Sequence, residues 1–364
     1  MGKKEKKRDD FIDILRGLGI IAVVLGHVCI SEFYYSELSD GIRRFCYMFH
    51  LPLFFFCAGY LYRRIGLREK IVKIIRSYYF PFIVIGLISI GCYPIWRALG
   101  ITESETLMQL AKRVLGVFAF RIDGFFIQPM WFLCFFAVCQ LEYWAFDALI
   151  DRQKYVLRLL VAFVIGIAGM GLVHFFGKGV FYVFLSLTMI PLIEIGGGYH
   201  RFTDYLASAQ TTGQYRRKMP LVCIGCFTMM AALILFTDKE IDLSKCSFFG
   251  GIGFYPVILV GISFCVSVSM MVMGNKHMPG IYNILRLAGK YSFWIMCFHV
   301  SVFKIIDGIA GLLYHCDLMV LQRLLWSFPM LRCVYFAAGL IIPSLIGMGI
   351  ESWSRKRRLK RNGC

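Results

Sequence analysis

The chain has 364 residues, of which 59% are apolar and 17% are charged, and its formal net charge is +18. Soluble domains average about 45–50% apolar and about 25% charged residues, so this composition excludes an ordinary soluble globular protein. Apolar runs recur along the whole length with no Pro/Ser/Gly-rich linker between them. We therefore expect a single membrane-embedded domain over 1–364, with basic tails at 1–10 and 351–364.

The spacing of the apolar runs predicts an all-α, polytopic membrane bundle of about ten helices. A hydrocarbon core about 30 Å thick requires roughly 20 apolar residues of helix. Gly and Pro within several runs are tolerable, because neighbouring helices can satisfy the freed backbone groups. The segment 104–120 mixes charges with Leu and Phe, which predicts an amphipathic helix at the membrane interface. The predicted spans are 11–30, 46–62, 76–97, 127–148, 155–175, 179–195, 219–236, 254–273, 291–313 and 328–350.

The distribution of Lys and Arg predicts the orientation, because cytoplasmic loops are enriched in these residues. With ten spans, the two tails and the four loops on their side carry 27 of the 40 Lys and Arg residues, whereas the five opposite loops carry 10, when basic residues at the edges of the spans are counted with the loops. The four loops on the side of the tails are then 63–76, 152–158, 201–218 and 276–290. We predict a multi-pass protein of the cell inner (plasma) membrane with both termini in the cytoplasm. The charge lies in membrane-flanking loops among lipid, so we do not expect nucleic-acid binding.

The 14 cysteines suggest neither a disulfide framework nor a metal site. Most lie inside apolar spans, where Cys behaves as a small hydrophobic residue. Cys223 and Cys226 form a CxxC pair, but the sequence has no suitably spaced partners for a redox or zinc site. We expect packing roles for them, and no metal.

The first span carries two ionisable residues, and such residues inside a membrane are functional candidates. Arg16 and His27 are eleven residues apart, which is close to three helical turns and about 16 Å along the axis. They therefore share one side of the helix, an arrangement that suits a substrate lying along it. Arg16 extending to lipid phosphate and His27 bonding a backbone carbonyl would explain the pattern equally well.

Two further features extend this pattern. His50 is predicted to lie near the outer end of the second span, at a depth like that of His27. Lys73 and Arg76, three residues apart at the start of the third span, share a helical face and can clamp phosphates of a cytoplasmic ligand. The general enrichment of basic residues in cytoplasmic loops also explains their charge.

Five segments, in this order along nearly the whole chain, resemble the acyltransferase-3 family of membrane acyltransferases. The absence of an appended soluble domain resembles its fucose 4-O-acetylase-like branch. One departure is Cys57-Ala58, where many members have a Ser before the Gly. The resembling segments are Asp13 to His27, His50-Leu51-Pro52-Leu53-Phe54-Phe55-Phe56 with Gly59-Tyr60, Lys73-Ile74-Ile75-Arg76, Pro129-Met130-Trp131-Phe132-Leu133, and Gly289-Lys290-Tyr291-Ser292-Phe293 through His299.

The resemblance implies a donor site and a catalytic residue. Arg16, Lys73 and Arg76 would hold the phosphates of cytoplasmic acyl-CoA, most simply acetyl-CoA, and His27 would be the catalytic histidine. The acceptor would be a carbohydrate hydroxyl of a cell-envelope or exported glycan. We therefore predict an O-acetyltransferase that needs no metal.

The remaining site residues have two interpretations each. His50 is predicted to act beside His27, either orienting it or binding the acceptor. Trp131 can stack on a sugar, although anchoring at the membrane interface is slightly favoured. His299 can line the donor channel or be a core histidine with satisfied hydrogen bonds.

Two other functions fit a charged helical bundle. One is an exporter or transporter of a polysaccharide or lipid-linked sugar, which paired discontinuous helices from internal repeats would favour. The other is a membrane sensing or anchoring subunit without catalysis, which loss of Arg16 or His27 would have favoured. The sequence shows no such repeats and keeps both residues, so we favour the enzyme.

Overall fold

The structure is a computed structural model of the chain. It describes residues 9–30, 36–121, 128–251, 253–274, 278–315 and 329–362. Most of the predicted tail 1–10 and the last two residues of the tail 351–364 lie outside these ranges. The described secondary structure is helical apart from one small hairpin, which confirms the all-α prediction.

Helices and strands are numbered here in chain order. The strands are β1 (Ile241–Asp242) and β2 (Ser247–Phe248), which pair antiparallel with Ile241 opposite Phe248. A π-helical turn at Ile75–Tyr79 joins two of the helices. The helices are α1 (Asp10–Cys29), α2 (Glu37–Tyr47), α3 (Pro52–Tyr60), α4 (Leu67–Ile74), α5 (Phe80–Gly91), α6 (Tyr93–Ala98), α7 (Leu107–Phe118), α8 (Trp131–Leu149), α9 (Tyr155–Phe176), α10 (Val183–Leu187), α11 (Ile190–Ser208), α12 (Thr212–Phe236), α13 (Phe254–Gly274), α14 (Pro279–Lys290), α15 (Ser292–Tyr314) and α16 (Pro329–Asn362).

Among the described residues, eight helical segments are long and apolar enough to cross a membrane. They are α1, the continuous α4–α5 segment, α8, α9, α12, α13, α15 and α16. A ninth would be the pair formed by Val180–Leu187 and α11, which is bent by 55°. The polytopic helical bundle is thus confirmed, with eight or nine such segments in place of about ten.

The predicted second span, 46–62, is divided in the structure. It contains the end of α2, a turn at 48–51, and α3, which has only nine residues. Nine helical residues extend about 14 Å, which is less than half the hydrocarbon thickness. Pro52 occupies the first turn of α3, a position that suits its missing N–H. The division places His50 in the break between α2 and α3.

The predicted amphipathic segment 104–120 forms a helix, α7. Thr106 caps it, and the Gln109 side chain accepts from the Thr106 backbone N–H in return. This capping box satisfies two backbone donors that the first turn would otherwise leave unpaired. The position of α7 at the membrane interface stays a prediction.

Helix α1 lies at the centre of the bundle, with most of its residues buried. The segment 276–290, predicted as a loop, contains α14, which packs along the first half of α1. Two glycines permit the close approach: a Cβ on Gly17 would overlap the Leu285 carbonyl, and one on Gly289 would overlap the Asp13 carbonyl. Both backbones come nearer than side chains on these residues would allow.

A buried arginine joins α2 to the segment before the hairpin. Arg44 donates to the carbonyl oxygens of Ile234 (3.1 Å), Thr237 and Lys239 (3.2 Å). It thereby satisfies a carbonyl near the end of α12 and others beyond it, which the helix leaves without partners. These bonds fix the start of β1 against α2, near the end of α1.

A second buried arginine joins α8, α9 and α11. Arg158 bonds Glu194 at 2.7 Å and Asp147 at 3.1 Å through Nη2, and only 2% of the residue is exposed. The sequence treats Arg158 as one of the basic residues of the loop 152–158 that signal orientation. In the structure, two carboxylates inside the bundle balance the charge of this residue.

Candidate active site

A cavity of about 470 Å³ lies at the end of α1 where His27 is found. Its walls come from α1, α2, the break before α3, the start of α8, the hairpin and α15. These elements are widely separated in the chain and meet because they all pack around the end of α1. The residues that line the cavity include His27, Cys29, Ser39, Asp40, Arg43, Tyr47, His50, Trp131, Asp242, Ser244 and Lys245.

His27 lines this cavity, and a hydrogen bond to its own helix holds its ring. Its Nδ1 lies 2.8 Å from the Val23 carbonyl oxygen, and a carbonyl only accepts hydrogen bonds, so Nδ1 carries the proton. The neutral ring therefore has its lone pair on Nε2. An imidazole fixed in this tautomer can take a proton from a group in the cavity.

His50 lines the same cavity from the break between α2 and α3. Its Nδ1 lies 3.2 Å from the Cys46 carbonyl, so the same tautomer is fixed. Its ring stacks on Tyr47, with centroids 4.3 Å apart. The structure thus brings His27 and His50 to one cavity, as the sequence predicts.

His299 lies next to His27 but does not line the cavity. It is fully buried, and its ring centroid is 4.9 Å from that of His27, edge to face. Its Nδ1 donates to the Ile295 carbonyl at 2.8 Å. Its Nε2 has no hydrogen-bond partner among the described residues.

Trp131 lines the cavity at the start of α8. Its ring stacks on Phe135, with centroids 5.6 Å apart, and lies at the same distance from the Tyr182 ring. This support holds the indole in a fixed orientation at the wall. An aromatic ring held in this way can offer its apolar surface to a bound molecule.

Sequence reasoning missed the polar part of the wall, which comes from α2 and the hairpin. Asp40 and Arg43 contribute from α2, and Asp242 with Lys245 from the hairpin. The only sequence signal was the polar, charged composition of the two short segments, 36–45 and 237–252. Nothing in their spacing indicates that they meet beside His27, because more than 190 residues separate them.

The guanidinium of Arg43 forms ion pairs with two carboxylates. Its Nη2 lies 2.6 Å from Asp40 Oδ1 and 2.8 Å from Glu240 Oε2. Burial by itself opposes the charge, but the hydrogen bonds to these carboxylates outweigh it and raise the pKa of the guanidinium above its ordinary value. Arg43 is therefore a permanent cation that is already paired.

The predicted phosphate-binding residues lie towards the other end of α1. Arg16 lies about 16 Å from His27 along the axis, and it interacts electrostatically with Tyr78 in the π-helical turn. The same turn carries Arg76, and both Lys73 and Arg76 are exposed. The structure therefore places Arg16 near the segment of Arg76, well away from the cavity.

The model of an acyltransferase domain family matches residues 9–348 of the chain. The chain belongs to this acyltransferase-3 family. Comparisons with curated proteins and with solved structures found no match. Membership in the acyltransferase-3 family makes the protein a membrane acyltransferase, and the fucose 4-O-acetylase-like branch stays a prediction.

Acyltransferase-3 membership gives the site geometry a chemical meaning. Acyl transfer needs a base for the acceptor's proton and groups that stabilise the developing negative charge. His27, which lines the cavity and keeps Nε2 unprotonated in its neutral form, suits the first requirement. Within the described part of the chain no group of three or more His, Cys, Asp or Glu side chains is arranged to hold a metal ion.

Proposed function

We propose that this acyltransferase moves an acyl group, most simply acetyl, from cytoplasmic acyl-CoA to a hydroxyl of a cell-envelope or exported glycan. The observation that carries the proposal is that His27, whose Nδ1 bonds the Val23 carbonyl, lines a cavity whose walls also include Trp131, hydroxyl groups and carboxylates. These are the side chains that bind and deprotonate a sugar hydroxyl.

The donor would enter from the opposite end of α1. Arg16, Lys73 and Arg76 would bind the CoA phosphates, because charge-assisted hydrogen bonds to phosphate are among the strongest. The pantetheine arm would then extend along α1 for the roughly 16 Å between Arg16 and His27. With both termini in the cytoplasm of a cell with an inner membrane, this arrangement puts the donor inside and the acceptor cavity outside.

The transfer itself would use His27 twice. Nε2 takes the proton of the acceptor hydroxyl while the hydroxyl oxygen forms a bond to the thioester carbonyl carbon. The carbon–sulfur bond then breaks, and His27 returns the proton to the departing CoA thiolate. In this scheme His50 holds the acceptor or His27, and His299 lies against His27 on the donor side.

The structure gives the exporter little support. Inverted-repeat transporters use discontinuous helices in corresponding halves. The described residues include one bent pair, at α10–α11, without a counterpart in the same ranges. No described feature therefore favours export over acyl transfer.

The decisive test is acyl transfer by purified protein carrying His27→Gln. We expect a loss of about 10²–10⁴ in rate, the usual effect of removing a general base, with acyl-CoA binding retained. His174→Gln is the matched control, because His174 is exposed on α9, away from the cavity. Near-normal transfer by His27→Gln would show that the proposed base is wrong.

The acceptor class needs a separate measurement in cells. Mass analysis of surface glycans with and without the gene should show loss of an acyl increment. Unchanged glycans, with transport of a glycan lost, would support the exporter in place of the enzyme.

A further inference from the structure

Among the described residues, the two cations that line the cavity are paired with protein carboxylates. Arg43 binds both Asp40 and Glu240, at 2.6 and 2.8 Å. Lys245 lies 3.9 Å from Asp242 and extends into solvent, with 69% of its side chain exposed. A free cation in a cleft is what attracts an anionic ligand, and neither of these residues offers one.

The carboxylate of Asp242 lines the cavity together with His27. Only 5% of the residue is exposed. The backbone N–H and the hydroxyl of Ser244 bond its Oδ1, at 2.9 and 2.6 Å. The carboxylate also interacts electrostatically with His27 and His50. A second negative charge brought beside His27 would be repelled by it, whereas an uncharged hydroxyl could donate to its oxygens.

The charges around the cavity balance among the described residues. They comprise the lining residues and the ionic groups bonded directly to them. On this count three carboxylates face three cations: Asp40, Glu240 and Asp242 against Arg43, Lys245 and Arg332, the last of which donates to Ser39. The polar wall therefore offers hydrogen bonds without a net charge.

We infer that the acceptor is an uncharged sugar, and that Glu240 excludes uronic acids and phosphorylated sugars by keeping Arg43 neutralised. The inference rests on the proposed function and specifies its substrate class. Neutral hydroxyls would bond to Asp242 and to the serine side chains, with Trp131 against the apolar face of the ring. A sugar carboxylate would be brought beside the buried carboxylate of Asp242, which would repel it.

Binding can be measured without acyl transfer, because Cys29 lines the cavity. The probes are matched pairs of methyl glycosides and methyl uronosides of glucose, galactose and mannose. Each is tested for protection of Cys29 from a thiol reagent, read by peptide mass analysis of the full-length protein in membranes. Cys92, outside the cavity lining, is the internal reference. We expect at least one neutral glycoside to protect Cys29 about tenfold better than its uronoside.

Glu240→Gln tests the residue assigned to exclusion, since it removes one charge while keeping the size of the side chain. We expect the preference for the neutral member of each pair to fall severalfold. Glu105→Gln, which alters a similar Arg–Glu pair on α7, should leave it unchanged.

The outcomes separate the two proposals. Equal or better protection by uronosides overturns the inference, as does a preference unaffected by Glu240→Gln. If no sugar protects Cys29 in protein that does acylate a glycan, then this cavity is not the acceptor site, and the inference fails with it. Neutral-sugar protection in protein that transfers no acyl group under any condition contradicts the proposed function alone.

Discussion

His27 and His299 meet edge to face with their ring centroids 4.9 Å apart, and each ring donates Nδ1–H to the carbonyl four residues earlier in its own helix. Both lone pairs therefore lie on Nε2. His27 lines the cavity, whereas Nε2 of His299 is buried without a hydrogen-bond partner in the described ranges. A buried unpaired polar atom costs about 1–3 kcal/mol, which indicates a role other than packing.

We predict that His299→Leu lowers acyl transfer while thermal stability in detergent stays equal or rises. Leucine fills the space and removes the unpaired nitrogen, so a purely structural histidine would lose nothing on replacement. His299→Gln, which restores a polar group, should recover part of the rate. Full activity in His299→Leu would assign the residue to packing after all.

The proposed donor site predicts that substituting its basic residues lowers the affinity for acyl-CoA selectively. Lys73→Ala with Arg76→Ala should weaken binding about 10–100-fold, because hydrogen bonds to charged groups contribute about 1.5–3 kcal/mol. Arg16→Ala should act in the same direction. The matched control is Arg63→Ala with Arg68→Ala, which removes two exposed charges from the preceding segment. Calorimetric titration with acyl-CoA measures the affinity of each variant. If the two double variants lose affinity equally, the loss reflects the overall positive charge and not a specific phosphate site.

The α1–α14 contact predicts strong intolerance at one glycine. Gly289→Ala places a Cβ against the Asp13 carbonyl, and forcing the helices apart should cost about 1–3 kcal/mol. Gly280→Ala, in the same helix with open space around it, should be neutral. The midpoint of thermal unfolding in detergent compares the two, and similar values would contradict this close packing.

The buried arginine of α9 predicts a large loss of stability. Arg158→Met leaves Glu194 and Asp147 without their shared cation, and breaking a buried ion pair costs about 3–5 kcal/mol. Arg201→Met is the control, since Arg201 is half exposed and 3.6 Å from Glu194. Yield of folded protein and its melting temperature provide the measurement. Comparable behaviour of the two variants would show that the network contributes little.

Topology can be tested across α12. If α12 crosses the membrane with a cytoplasmic N-terminus, a cysteine at Ser208 should react with an impermeant thiol reagent only from inside. Native Cys246 in the hairpin should react only from outside. Labelling of both positions from one side would refute the predicted orientation.

Residues that share one helix were predictable as neighbours from the sequence. The periodicity of α1 alone puts Arg16 and His27 on one side, and the structure keeps them on one continuous helix. His50 was likewise expected at the depth of His27, from its position near the outer end of the predicted second span. Helical periodicity is a local property, so a single sequence carries it.

Helical periodicity could not predict that Asp242 contributes to the cavity wall. Its position depends on Arg44 bonding carbonyls about 190 residues further along the chain, and no local period encodes such a contact. The division of 46–62 was missed for a related reason. Hydropathy measures how apolar a segment is, whereas the turn before Pro52 depends on backbone geometry that hydropathy does not register.

The bonds from Arg44 have a mechanical consequence. Arg44 holds three carbonyls of the segment that leads into the hairpin, and its neighbour Arg43 holds Glu240. Each hydrogen bond to a charged group contributes about 1.5–3 kcal/mol. The contact between α2 and the hairpin can therefore open only when several of these bonds break together. The proposed acceptor would therefore enter the cavity from another side, and α2 with the hairpin would form a rigid wall against which it is oriented.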